Sequence, residues 1–147
     1  MYLKEFEIRW SDVDANRHLA NSAYLNFMSH TRMAYLMELG FTHKTMAEHE
    51  IGPVVFYEHI YYFKEAFPGH PVKVSMEVFH HNFYDYKGRN FAHCEMMGAW
   101  IDLKSRSLTG LTDDFLAAFN KAEKPENFRV LTKEDTRRFT KIPKDLA

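Results

Sequence analysis

The chain predicts an α+β fold: one antiparallel sheet wrapped around one long central helix. Two features of the sequence carry this expectation. A long apolar helical pattern comes early, at residues 21–39, and a run of short alternating segments joined by turn signals follows it. A third feature, the aromatic content (13 Phe and 8 Tyr in 147 residues), exceeds what one small core needs and points to apolar surface buried against a second subunit or a ligand.

Tyr2 to Trp10 opens the chain as a half-buried strand, with Leu3, Phe6, Ile8 and Trp10 set against Lys4, Glu5, Glu7 and Arg9. A polar loop, 11–20, gathers Ser11, Asp12, Asp14, Asn16 and His18. The helix of 21–39 follows, with Tyr24, Phe27, Met28, Thr31, Tyr35 and Leu39 at three- and four-residue steps and Leu25, Met33 and Leu36 widening the apolar face. Asn21 or Ser22 is the expected cap, and Gly40 the expected stop. A short helix is expected within Phe41 to Glu50.

Val54 to Phe67 reads as a strand covered on both faces over part of its length, ending at the Pro68-Gly69 turn. Val72, Val74, Met76 and Val78 form an alternating strand, Tyr84 to Asn90 a hairpin connection, and Phe91 to Leu103 another strand. Lys104-Ser105-Arg106 turns into a last strand, Ser107 to Thr112. Asp113 is the expected cap of a short helix carrying Phe115, Leu116 and Phe119. The domain therefore spans 1–123. Residues 124–147 form a polar, basic tail in which Lys124, Arg129, Lys133, Arg137, Arg138, Lys141 and Lys144 face Glu126, Glu134, Asp135 and Asp145. This tail reads either as solvated chain or as a basic arm for the phosphates of a large anionic substrate.

Composition narrows the function. A net charge of −1 gives no bulk attraction to nucleic acid or membrane. The N-terminus has no apolar signal core and no run reaches membrane-span length, so a cytoplasmic protein is expected. Cys94 is the single cysteine, set in Phe91–Met96 like a small core residue. His59, His70, His80, His81 and His93 lack metal-ligand spacing, so no metal is expected.

The polar loop carries the chemistry. It places two carboxylates and an imidazole just before the N-terminus of a buried helix, where free amides and the positive dipole end suit a developing oxyanion. The bland reading of Asp-x-Asp is a turn or cap, and of His18 a hydrogen-bonded loop histidine. A calcium loop fails, since it needs glycine at position 17 and glutamate at 23 where the chain has Arg17 and Ala23. An aspartyl phosphotransferase fails as well, because its nucleophile should follow a long apolar parallel strand.

Asp12-Val-Asp14-Ala-Asn16-Arg-His18-Leu-Ala-Asn21-Ser-Ala-Tyr24-Leu25 resembles the loop-to-helix motif of hot-dog-fold acyl thioesterases. The similar groups are the 4-hydroxybenzoyl-CoA thioesterase-like enzymes and the plant-type acyl-carrier-protein thioesterases. The motif match covers residues 8–36, and the likeness about 1–120, with the tail outside it. The resemblance implies Asp14 as catalytic carboxylate, with Asn16 and His18 assisting as in the carrier-protein branch. Many CoA thioesterases of the group have Gly in this loop, where this chain has Asn16 and Arg17.

The expected reaction is hydrolysis of acyl-CoA, or acyl-carrier protein, to free acid and thiol. Asp14 would be base or nucleophile, the amides of Asn21, Ser22 and Ala23 would polarise the carbonyl, and no cofactor is needed. The resemblance puts the acyl chain against aromatics at the interface of a homodimer or homotetramer, with Tyr24, Tyr57 and Tyr61 as lining. Glu58, His59 and Glu95 are weaker candidates for a further catalytic group. A non-catalytic acyl-CoA-binding module and a hydratase on the same fold are the alternatives.

Overall fold

The computed structural model describes residues 1–132, 134–136 and 143–146. One sheet, in the order β1-β3-β4-β5-β2, curves around a central helix. Its strands are β1 (Tyr2–Phe6), β2 (Ile51–Tyr62), β3 (Val72–Met76), β4 (His80–Tyr84) and β5 (Asn90–Asp102); a two-residue β6 (Leu108–Thr109) pairs with the end of β5. The helices are α1 (Asn21–Glu38), α2 (His43–Glu48) and α3 (Asp113–Phe119). All pairings are antiparallel. This is the hot-dog fold expected from the sequence.

Helix α1 is amphipathic at its start. Ala23, Tyr24, Phe27, Met28 and Thr31 are buried against Val72, Val74, Phe83, Phe91, Ala92 and Cys94 of the sheet. Phe27 stacks on Phe6 of β1 at 4.5 Å between centroids. Beyond α1 a second cluster forms around fully buried Phe41, which stacks on Trp100 and Phe115 at 4.8 and 4.7 Å. The turn between the two is sharp. Gly40 takes φ +96°, its amide bonds Met37 O, and the Phe41 amide bonds Leu36 O at 2.9 Å. That double bond closes the last helical turn and needs a residue free to adopt the left-handed region.

Several boundaries differ from the sequence reading. The first strand stops at Phe6, and Trp10 enters a 3₁₀ turn (Trp10–Asp12) with its ring 95% exposed. The buried carboxylate of Asp12 explains this: it accepts from Arg9 N, Nε and Nη2 at 2.9, 3.0 and 2.9 Å, pulling the chain out of the sheet. The strand expected to 78 turns at Glu77–Phe79, with Phe79 at φ +68°, and β4 follows where the sequence carries no strand pattern. β2 spans Ile51–Tyr62 rather than Val54–Phe67 and carries a bulge between Val55 and Tyr57. The last strand shrinks to Leu108–Thr109, and Thr112, not Asp113, is the cap residue of α3.

The C-terminal segment folds back over one end of the domain. The Val78 amide bonds Glu123 O at 2.9 Å, Tyr35 Oη accepts from Glu123 N at 3.0 Å, and the N-terminal amine pairs with the Glu123 carboxylate at 2.6 Å. Pro125, Val130 and Leu131 then help wall two cavities. Arg129 is paired with Asp135, whose carboxyl is held below the usual range by that guanidinium. Lys133, Arg137, Arg138 and Lys141 of the basic tail lie outside the described residues.

Candidate active site

The loop of residues 11–20 is a small closed structure. Val13 and Leu19 form a β-bridge, the Asp14 amide bonds His18 O at 3.0 Å, and the Arg17 amide bonds Asp14 O at 3.0 Å. Arg17 sits at φ +66°, a left-handed conformation that favours glycine. The loop is pinned on both sides: the Ala20 amide bonds Asp12 O at 2.8 Å, and the Leu19 amide bonds Ala66 O at 2.7 Å.

Within it Asp14, Asn16 and His18 do converge. Asp14 Oδ1 accepts from the Asn16 amide at 2.8 Å, and Asp14 Oδ2 lies 3.4 Å from His18 Nδ1. The Asn16 side chain is exposed, so its link to Asp14 runs through the backbone. Asp14 and His18 are both half-buried. Asp12 takes the supporting part: the Arg9 guanidinium holds its carboxyl below the usual carboxylate range, so it stays ionised and fixes the turn.

The loop leads directly into α1. The cap position is Ala20, not Asn21 or Ser22, and no side chain caps the helix. Asn21 and Ser22 are the first helical residues and are exposed. Of the three amides expected to polarise a carbonyl, that of buried Ala23 is taken, since it bonds Ala20 O at 2.9 Å. The amides of Asn21 and Ser22 have no partner among the described residues and face an external acceptor, with the dipole favouring negative charge there.

The tyrosines do not gather at this loop. Tyr24 is 3% exposed and packs in the core against Tyr62, Phe83 and Phe91, and burial pushes its hydroxyl up to about 12. Tyr57 and Tyr61 stand on the other face of the sheet. Tyr61 lies against His59 at 4.5 Å and near His93 at 6.3 Å. Tyr57 lines a cavity of about 380 Å³ between that face and the C-terminal segment, with His80, Glu95 and Asn127. Of the weaker candidates, Glu58 is bound to Arg32 at 2.5 Å on the helix side of the sheet, and Glu95 pairs with His59 and His80 across β5. Among the described residues, Asp14 bonds Asn16, Arg17 and His18 and neither glutamate.

The residue that sequence reasoning missed is Glu65. It follows β2, and its Oε1 lies 3.8 Å from His18 Nε2, so His18 stands between two carboxylates. Phe67 meets the His18 ring edge-on at 6.4 Å. The sequence pattern places both at the end of the Val54 to Phe67 strand. No spacing signal links position 65 to 18; the long excursion through β2 brings them together.

Cys94 is fully buried, and burial pushes its thiol up to about 12, which leaves it without thiolate at neutral pH. Among the described residues, no group of His, Cys, Asp and Glu could hold a metal ion, and no helix is long and apolar enough to cross a membrane.

The model of the thioesterase-like superfamily matches residues 8–147, which includes the C-terminal segment that the motif resemblance left out. No curated protein matches the sequence. Solved structures share the fold at low identity. A Staphylococcus aureus hypothetical protein in complex with CoA superposes with a TM-score of 0.77 at 15% identity, covering 88% of this chain and 94% of that one. A DHNA-CoA thioesterase, also from Staphylococcus aureus, gives 0.70 at 20% identity, covering 81% and 88%. A 1,4-dihydroxy-2-naphthoyl-CoA thioesterase from Synechocystis gives 0.70 at 12%, covering 84% and 98%. The chain thus belongs to the thioesterase-like superfamily, with the hot-dog fold. Its enzyme class is thioester hydrolase.

Proposed function

We propose that this protein hydrolyses acyl-CoA thioesters, with Asp14 as the catalytic carboxylate. The observation that carries the reading is the position of Asp14: a half-buried carboxylate bridged to His18, one loop away from a helix start that no side chain caps. CoA is favoured over a carrier protein because the structural neighbours named above include a CoA complex and CoA thioesterases.

In the water-mediated form, Asp14 takes a proton from a water as the water oxygen bonds the thioester carbon. The carbonyl oxygen becomes an oxyanion facing the amides of Asn21 and Ser22 that open α1. Collapse of this intermediate breaks the C–S bond. The sulfur leaves with the bonding pair and takes the proton back from Asp14, giving the free acid and the thiol of CoA. Direct attack by Asp14 would pass through a mixed anhydride that water then opens. His18 positions Asp14, and Asn16 holds it through the backbone.

The assembly is a homodimer formed through β2. This 12-residue strand pairs with β5 on one side only and is an edge of the sheet. Val55, Phe56, Tyr61 and Tyr62 on it are exposed, a long apolar edge of the kind that recruits another strand. Two copies joined there would absorb the aromatic surplus.

The test is thiol release from a panel of acyl-CoAs by wild type and Asp14→Ala. Loss of about a thousandfold in kcat, with acyl-CoA binding retained, is expected for removal of the base. Full activity in the variant would move the chemistry off Asp14. Binding without turnover by either protein would favour the non-catalytic module.

A further inference from the structure

The C-terminal half of α1 does not pack as the N-terminal half does. Between it, the Pro53–Val55 end of β2, the end of β5 and α3 lies a cavity of about 800 Å³. Met33, Leu36, Leu39, Trp100, Leu116 and Phe119 are among its walls. It reaches the surface where Val55 and Leu116 are exposed. Its walls are mostly apolar, and an apolar occupant that displaced water from them would gain the hydrophobic free energy of burial. Its volume is that of a ligand site.

The chemistry of the walls restricts the occupant. Arg32 is the only charged residue among the described lining, and it is not free: it donates to Glu58 Oε1 at 2.5 Å, to Met96 Sδ at 3.1 Å and to Ser29 Oγ at 3.0 Å. A headgroup or anion would have to break that pair. An uncharged apolar chain would not.

The shape restricts it further. Ten residues separate Ser29 from Leu39 along the helix, about 15 Å at the usual rise. With C–C bonds of about 1.5 Å, a zigzag chain of roughly a dozen carbons spans that length. A single or fused ring would fill only part of it. Met33, Met76 and Met96 supply flexible side chains that adapt to an aliphatic chain.

We infer that this cavity receives the aliphatic acyl chain of the substrate, so that the enzyme acts on medium-length fatty acyl thioesters rather than aromatic ones. The inference rests on the acyl-CoA reading above and on the β2-paired dimer. Pairing two β2 strands antiparallel sets the C-terminal end of one beside the N-terminal end of the other. The Asp14 loop of one copy, with Glu65 beyond the end of its β2, then adjoins the Pro53–Val55 mouth of the other copy's cavity. Each active site would draw its carboxylate from one subunit and its chain site from the second.

The test uses non-hydrolysable S-alkyl-CoA thioethers, which report chain binding without chemistry. S-ethyl-, S-dodecyl- and S-benzyl-CoA are titrated by calorimetry into wild type, Ala99→Leu and Leu116→Trp, two variants that fill the cavity from β5 and α3. Each buried methylene is worth up to about fourfold in affinity. S-dodecyl-CoA should therefore bind wild type at least a hundredfold more tightly than S-ethyl-CoA. Each variant should cut that ratio at least tenfold; a ratio within one protein is insensitive to a loss of folded fraction. Equal affinity for the ethyl and dodecyl thioethers, tighter binding of the benzyl compound, or a ratio unmoved in both variants would overturn the inference. Length-dependent binding with no thiol release from dodecanoyl-CoA would leave the chain site standing and sink the hydrolytic reading. Thiol release lost in Asp14→Ala with no chain-length dependence would do the reverse.

Discussion

The two halves of α1 lie on the same sheet and differ in what they bury. From Ala23 to Thr31 the helix is locked into the core. From Arg32 to Leu39 it is half-exposed: Met33, Leu36 and Leu39 pack on one side against the Phe41 cluster and border the apolar cavity on another. The packed half carries at its start the loop with Asp14; the loosely packed half carries the room for a substrate. Rigidity where a carboxylate must be aimed, and space where a chain must enter, are assigned to different turns of one helix.

The sharpest way to break this comparison is to truncate one side chain in each half. Phe27→Ala removes a buried ring that stacks on Phe6 and should cost about 3–5 kcal/mol. Met33→Ala removes a half-buried side chain that packs on the Phe41 cluster on one side only and borders the cavity on the other, and should cost about 1–2 kcal/mol. Urea midpoints of the two variants measure both. Equal losses would mean that the cavity is filled in solution by rearranged side chains.

The boundary between the halves is the Arg32–Glu58 pair. Both side chains are largely buried, and removing one partner leaves the other ionised without compensation. Arg32→Met should cost toward the low end of about 3–5 kcal/mol, since some exposure remains. The double change Arg32→Met with Glu58→Leu should return most of it. A double variant as unstable as the single would show that the pair does more than neutralise itself.

The packed region also contains a histidine with no charge to lose. His81 on β4 is fully buried, its Nδ1 is 2.8 Å from Ser75 O, and its Nε2 has no partner among the described residues. Burial lowers its pKa from 6.5 to about 3. Between those values the unfolded chain binds a proton that the folded chain refuses. Stability should thus be full above pH 6.5 and fall as pH drops, by about 2 kcal/mol from pH 6.5 to 5. His81→Leu should flatten that slope. A stability profile as steep in the variant as in wild type would assign the loss to other groups.

The sequence made the helix and the loop legible and concealed what packs around them. The period of Tyr24, Phe27, Met28 and Thr31 and the stop at Gly40 are local signals, and both are realised. β4 was concealed for a physical reason. Its sequence, His-His-Asn-Phe-Tyr, shows no apolar alternation because His81 occupies a core position. The turn before it, Glu77-Val78-Phe79, has no Gly, Pro or Asn, and Phe79 takes the left-handed conformation without a composition cue. Asp14 and His18 could be picked out because both lie in the one local motif, Asp12 to Leu25, that resembles the hot-dog thioesterases. Glu65 could not, since its distance from His18 is set by the path of β2, a tertiary fact. The cavity is invisible for the same reason, as its walls come from α1, β2, β5, α3 and the C-terminal segment.

The smallest expected effect concerns the loop itself, where Arg17 takes a left-handed conformation. At φ +66° the Arg17 side chain crowds its own carbonyl, a strain that glycine lacks. Glycine also makes the unfolded chain more flexible, which offsets part of the relief. The net gain for Arg17→Gly should be about 0.5 kcal/mol, read as a small upward shift in Tm. Because the Arg17 amide bonds Asp14 O and no side-chain bond of Arg17 holds the loop among the described residues, the turn should keep its shape and kcat should change less than twofold. A fall in kcat of tenfold or more would mean that the guanidinium, and not only the backbone at this position, acts on the thioester or on the CoA phosphates.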